Sequence, residues 1–222
     1  MAAAAAPLCA ADGWKPLYNG HNLDGWWWWP PGKGTPPEPS WTVENGILRT
    51  TPDKGTRVYL ITKESFTDFE LAWDWKIEKA GNSGIKYRVQ KLINFDGPRP
   101  EPGGLEYQMA DDESNPDALS DAKHSTAAIY SYVTPNKPKL AGPNVWHSAR
   151  ILARGLHIEH WLNGVKVVDV NLDAPETIAS FRASERKRSA EVFLKHEQRT
   201  SQIALQFHDG AAWFHDLKIR AL

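Results

Sequence analysis

The chain has a single cysteine, Cys9, so no internal disulfide can hold it together. Its formal net charge is only -1 over 222 residues, which leaves no basic field to gather nucleic acid. No window approaches the roughly 20 apolar residues of a membrane-spanning helix. No internal repeat recurs at about 40 residues, which argues against a propeller. Nothing in the middle resembles a linker, so one domain over 14–222 is expected. What is present is apolar and aromatic. Hydrophobic residues make up 41% of the chain, enough for a sizeable core, and there are eleven tryptophans. Trp fills cores, and its flat face also stacks on sugar rings.

Residues 1–13 form an Ala-rich segment, Met1 to Ala11 followed by Asp12-Gly13, that ends in a small-x-small pattern. The reading is a signal-like or disordered N-terminal segment, hence a periplasmic or secreted bacterial protein, although no basic n-region precedes the apolar stretch.

Beyond it, turn dipeptides punctuate the chain at Asn19-Gly20, Asp24-Gly25, Asn45-Gly46 and Asn163-Gly164. A Pro/Gly loop is expected over Pro30–Pro39. Strands are expected at 41–49 (a hairpin), 58–62, 69–78, 84–90, 105–110, 127–133, 146–153, 155–161, 165–170, 203–208 and 213–220. The clearest is 69–78, where Phe69, Leu71, Trp73, Trp75 and Ile77 share one face. A short helical turn is expected near Pro116–Leu119 and one longer helix over Arg182–His196. That helix reads either as a solvated element on the sheet edge or as a flap lending Lys or Arg to a ligand. Many short strands, Asx-Gly turns and one late helix define an all-β antiparallel sandwich.

Three strands carry unusual polar faces. Side chains alternate along a strand, so Ile85, Tyr87 and Val89 oppose Asn82, Lys86 and Arg88. Leu105, Tyr107 and Met109 oppose Glu106 and Gln108; Leu205 and Phe207 oppose Gln206 and His208. Ordinary solvent faces hold Lys, Thr, Ser and Glu. These hold residue types that grip hydroxylated ligands or metals.

An ordered series of motifs gives the chain its resemblance. It comprises Leu17-Tyr18-Asn19-Gly20, Leu23-Asp24-Gly25-Trp26, Trp41 to Gly46, Asn82-Ser83-Gly84-Ile85, Glu106-Tyr107-Gln108, Ala128-Ile129-Tyr130, His160 to Gly164 and Leu205-Gln206-Phe207-His208. From about Trp14 to Leu222 the chain resembles the 3-keto-disaccharide hydrolase family. The resemblance implies a concanavalin-A-like jelly roll, bacterial export, cleavage of glycosides oxidised to a ketone at sugar carbon 3, and association with a divalent metal. Two stretches depart from the family pattern: Trp26-Trp27-Trp28-Trp29-Pro30-Pro31, where one Trp is usual, and Gln206-Phe207-His208-Asp209-Gly210.

A ketone at carbon 3 acidifies the hydrogen on carbon 2. Cleavage then needs a base, a stabiliser for the enolate oxygen and an acid for the departing oxygen. Candidate catalytic residues are His124, His208 and Glu106. Candidate substrate contacts are Asn82, Lys86, Arg88, Gln108, His160 and Gln206. Arg88 offers a rigid fork for an enolate, or a salt bridge to Glu106. Glu106 and Gln108 project about 6.6 Å apart on one face, and with His124 they form a candidate metal set. Two rival readings accompany this one. Glu106-x-Gln108-x-x-Asp111 superficially matches a two-carboxylate glycosidase strand, but its middle acid is an amide. A non-catalytic carbohydrate-binding module or lectin would share the same fold.

Overall fold

The computed structural model of the chain describes residues 13–30, 40–52, 57–98 and 101–222. The signal-like segment 1–13 and the loop Pro30–Pro39 lie outside the described residues, apart from Gly13 and Pro30.

Two antiparallel sheets face one another. The strands are β1 (Lys15–Pro16), β2 (Trp26–Trp29), β3 (Trp41–Glu44), β4 (Ile47–Thr50), β5 (Tyr59–Thr62), β6 (Phe69–Ile77), β7 (Asn82–Lys91), β8 (Gly103–Ala110), β9 (His147–Arg154), β10 (His157–Leu162), β11 (Val165–Asn171), β12 (Ala204–Asp209) and β13 (Ala212–Ala221). The larger sheet runs β11-β10-β9-β6-β13-β4-β3, with β1 also paired to β13; the smaller runs β2-β5-β12-β7-β8. The expected all-β sandwich is therefore the observed one.

The core follows from the alternation. From β6, Phe69, Leu71, Trp73, Trp75 and Ile77 are buried, and from the smaller sheet so are Leu60, Ile85, Tyr87, Leu105, Tyr107, Met109, Leu205 and Phe207. Trp73 meets Tyr107 edge to face at 4.9 Å, an arrangement aromatic quadrupoles favour.

Three local expectations are corrected. Residues 127–133 do not form a strand; they make isolated bridges, Tyr107 to Ile129 and Ile129 to Val133. Ala127 and Ser131 take φ of 68° and 67°, which breaks an extended chain. The single late helix is instead a pair, α2 (Pro175–Arg182) and α3 (Lys187–Phe193), beside the short α1 (Pro116–Ser120). Pro175 starts α2 at a position where its missing N–H costs nothing. Between the pair, Ser184 Oγ accepts the Arg186 N–H at 3.0 Å, a local bond that competes with helix continuation. The tryptophan run Trp26–Trp29, outside every strand expected from the sequence, is strand β2, paired to β5. No helix among the described residues is long and apolar enough to cross a membrane.

Candidate active site

The outer face of the smaller sheet reads directly from its register. Tyr107 and Ile85 are partners, as are Leu205 and Ile85, and all three side chains are buried inward. Their neighbours must therefore point outward. One outward row runs across the strands as Trp27, Ile61, Ala204, Lys86 and Glu106. The next runs as Trp29, Tyr59, Gln206, Gly84 and Gln108. Small residues, Ala204 and Gly84, floor the middle.

At the β7–β8 end the floor becomes a charged hollow. Lys86 Nζ lies 3.0 Å from Glu106 Oε2 and 3.8 Å from Glu101 Oε2. Arg186, carried in by the break between α2 and α3, reaches Glu101 at 3.4 Å and covers the Tyr130 ring at 4.8 Å. The Tyr59 hydroxyl donates to Glu101 at 3.2 Å. Two cations thus face two carboxylates. Burial alone would lower the Lys86 pKa, but Glu106, Tyr59 and Glu101 outweigh it and hold the ammonium charged. The same opposition raises Arg186, whose burial is outweighed by Tyr130, Glu106 and Glu101. For Glu101, burial pushes the pKa up, and Lys86 and Arg186 bring it below its ordinary value. Burial pushes the Tyr59 hydroxyl up, so it stays protonated.

Beside these charges sit acceptors with nothing to accept. Gln108 Oε1 and Gln206 Oε1 are buried and unpartnered among the described residues. Both residues are register partners of Gly84. A Cβ on Gly84 would come within 2.5 Å of Glu106 Oε1, so glycine is what lets that carboxylate lie over the strand. Buried acceptors left unpaired cost free energy.

Of the residues selected from sequence, Glu106, Lys86, Gln108, Gln206 and Asn82 share this face, with Asn82 Oδ1 3.5 Å from Gln108 Nε2. Arg88 and His160 do not join them. Arg88 sits in a bulge at φ 52°, which reverses the alternation after Tyr87. Its guanidinium donates to the carbonyls of Arg199 (2.5 Å) and Gly155 (3.1 Å) and pairs with Asp68 (3.2 Å). Lys86, not Arg88, bridges to Glu106. His160 is fully buried in the core: its Nδ1–H donates to the Ala127 carbonyl at 2.9 Å, and Nε2 accepts from the Tyr87 hydroxyl at 2.8 Å. Burial lowers its pKa to about 4. His208 is the unpaired residue of a bulge at the Asn82 end of the sheet, with Nδ1 2.6 Å from Asp209. His124 stacks on Tyr130 with ring centroids 4.6 Å apart. Asp111, from the two-carboxylate pattern, accepts the Ala80 and Glu113 N–H groups and serves the chain turn. Tyr59, Glu101, Tyr130 and Arg186 were missed as site residues. Only the flap reading of the late helix, with its Lys and Arg, pointed toward one of them.

The divalent ion implied by the family resemblance does not fit the set Glu106, Gln108 and His124. Both ring nitrogens of His124 are engaged, Nδ1 with Asp117 (3.1 Å) and Ser120 (3.2 Å), Nε2 with Ser131 (3.2 Å) and Glu185 (3.5 Å). The one carboxylate of the set is already paired to a buried ammonium, and amide oxygens add no charge to offset another cation. Elsewhere, His157, Glu159 and Asp169 on β10 and β11 bring three ligand-type atoms within 4.8 Å of one another. There Lys166 Nζ bonds both carboxylates and takes the place of a cation.

This β-sandwich, with a charged hollow on its smaller sheet, is similar to proteins of carbohydrate chemistry. A curated 3-keto-disaccharide hydrolase of Bacteroides thetaiotaomicron is 28% identical over 235 residues, spanning 96% of this chain and 79% of that protein. A crystal structure from Parabacteroides distasonis, provisionally named a glycosyl hydrolase, matches with a TM-score of 0.79 at 25% identity, over 99% of this chain and 98% of that one. The carbohydrate-binding module CBM66 of Bacillus subtilis shares the fold, with a TM-score of 0.50 at 14% identity over 94% and 96% of the two chains. The model of the 3-keto-alpha-glucoside-1,2-lyase-like domain matches residues 13–220, and the chain belongs to that family.

Proposed function

We propose that the hollow cleaves the glycosidic bond of a 3-keto-glycoside by elimination, followed by hydration. The reacting ring lies over Gly84, its hydroxyl groups donating to the free oxygens of Gln108 and Gln206. Glu106 takes the proton from carbon 2. The C–H electron pair forms the carbon 2–carbon 3 double bond, and the ketone oxygen becomes an enolate. Lys86, held charged and buried, receives that developing charge with Arg186 behind it. The enolate collapses, the bond from carbon 1 to the aglycone oxygen breaks, and the protonated Tyr59 hydroxyl donates to the departing oxygen. Water then adds across the conjugated enone for net hydrolysis. No step passes through a divalent ion; the ligand-type cluster at His157, Glu159 and Asp169 lies in the other sheet.

The carrying observation is the buried Lys86–Glu106 pair set beside two unpartnered amide oxygens. A sugar-binding module needs the acceptors but not a buried ammonium poised against a carboxylate. The test is incubation with a 3-keto-glucoside, following the ultraviolet absorbance of the enone and the released aglycone. Turnover by the wild type and its loss in Glu106→Gln, with substrate still bound, supports elimination. No product from any 3-keto-glycoside, with binding intact, leaves the binding module as the function. The Ala-rich segment 1–13 supports export; fractionation of the native host, with the protein found only in the cytoplasm, would contradict it.

A further inference from the structure

Arg186 enters the hollow from the break between α2 and α3, and the residue before it, Glu185, is a carboxylate. Burial pushes the Glu185 carboxyl up, and Ser131, its own backbone N–H, His124 and Arg186 bring it below its ordinary value. Its side chain is 62% exposed, so it has room to turn toward Arg186 and cancel the charge that faces Glu101. Something has to hold it aside.

The hydrogen bonds around His124 do so. Ser131 Oγ donates to Glu185 Oε1 at 2.6 Å, so it presents a lone pair to His124 Nε2, 3.2 Å away. Ser120 Oγ donates to the Asp117 carbonyl at 2.6 Å and likewise presents a lone pair to Nδ1 at 3.2 Å. The two carboxylates complete the set, Asp117 Oδ1 at 3.1 Å from Nδ1 and Glu185 Oε1 at 3.5 Å from Nε2. Both ring nitrogens face acceptors, and both donate. The imidazole is thus a clamp between α1 and the α2–α3 break.

Tyr130 ties the clamp to the hollow. Its ring stacks on His124, lies 4.8 Å from the Arg186 guanidinium, and carries a hydroxyl that donates to Asp117 at 2.9 Å. Resting on the elimination reading, we infer that His124 is a positioning residue: by holding Glu185 and stacking on Tyr130 it keeps Arg186 directed at Glu101 and the developing enolate charge. It touches no reacting atom. A metal ligand or a general base needs a nitrogen lone pair, and His124 spends both nitrogens as donors.

The test is a double-mutant cycle. His124→Phe keeps a flat ring against Tyr130 and removes both donors. Glu185→Gln removes the competing charge and keeps an acceptor for Ser131. Wild type, both single variants and the double variant are compared on a 3-keto-glucoside once circular dichroism shows them folded; His124→Gln takes the place of His124→Phe if that variant does not fold. The expected result is a loss of roughly tenfold in kcat for His124→Phe with KM little changed, kcat close to wild type in Glu185→Gln, and most of the loss recovered in the double variant. A histidine that only supported the fold would not be rescued by removing Glu185. Unchanged kcat in His124→Phe, or a loss that the double variant retains, overturns the inference while leaving the elimination reading in place. If wild type turns over no 3-keto-glycoside, the reaction reading fails, and the nitrogen NMR resonance of Arg186 Nε, assigned with Arg186→Lys, decides. A signal displaced in His124→Phe and returned in the double variant upholds the clamp. A signal unmoved in His124→Phe, or not returned in the double variant, removes it.

Discussion

Replacing Glu106 by glutamine tests the hollow most directly, because it keeps the shape and removes the charge. The side chains of Lys86 and Glu106 are only 4% and 6% exposed, so the ammonium would be left in a dry site. Removing one partner of a buried pair costs roughly 3–5 kcal/mol. Glu101 remains 3.8 Å from Lys86 and supplies part of the missing charge, which places the expected cost at the lower end, about 3 kcal/mol. In a domain of this size, that is a fall in Tm of about 6–12 °C. Lys86→Met should cost a similar amount, since it strands the carboxylate. The double variant Lys86→Met/Glu106→Leu puts apolar side chains in place of both charges and should recover most of the loss. Activity behaves differently. Each single variant should lose roughly 10²–10⁴ in kcat, and the double variant should be as inactive as either. The assays are thermal unfolding and enone formation on the same preparations. If Glu106→Gln melts with wild type, the pair is not desolvated. If the double variant is the least stable of the three, the charges stabilise the fold outright, and the argument from a site retained for chemistry fails.

Four further outcomes follow from the geometry. His160 is neutral in the fold, with a pKa of about 4; an unfolded histidine titrates near 6.5. Between those values the unfolded chain binds the extra proton, so the stability held above pH 6.5 falls as pH drops, by roughly 3 kcal/mol at pH 4; denaturant unfolding across that range should show His160→Gln with a shallower slope than wild type. Arg88→Ala should lower stability by roughly 3 kcal/mol through its lost bonds to Asp68, Gly155 and Arg199, with kcat unchanged at a temperature where the variant is folded; a selective loss of kcat would return Arg88 to the active site. Gly84→Ala should displace Glu106 Oε1, which the new methyl would approach to 2.5 Å, so activity should fall far more than Tm. Lys86 has a raised pKa in the fold, so its stabilisation is intact below the unfolded value of about 10.4 and is lost only in strong alkali; a Tm that already falls between pH 8 and 10 in wild type but not in Lys86→Met would contradict this.

The sandwich was legible because its evidence is periodic. The five inward side chains of β6 and the alternation in β8 and β12 each repeat one rule several times, and the turn dipeptides mark where it stops. The site was legible only where that rule holds. Glu106, Gln108, Gln206 and Lys86 share a face because nothing interrupts the strands between them. Arg88 was misplaced for a physical reason: it sits at a bulge, and an extra residue turns its side chain to Asp68, Gly155 and Arg199. His160 was misread because alternation tells which residues oppose each other, not which of them face the core. Glu101, Tyr130 and Arg186 escaped because they arrive from loops and a helix break, where position depends on tertiary contacts that no local pattern encodes.

The four consecutive indoles of β2 have a consequence for how such a protein changes over time. Alternate members answer to different demands, two to the interior and two to whatever rests outside. Exchanges at Trp27 and Trp29 alter the outer surface while Trp26 and Trp28 keep the strand anchored. The outer face of this strand is thus free to drift independently of foldability.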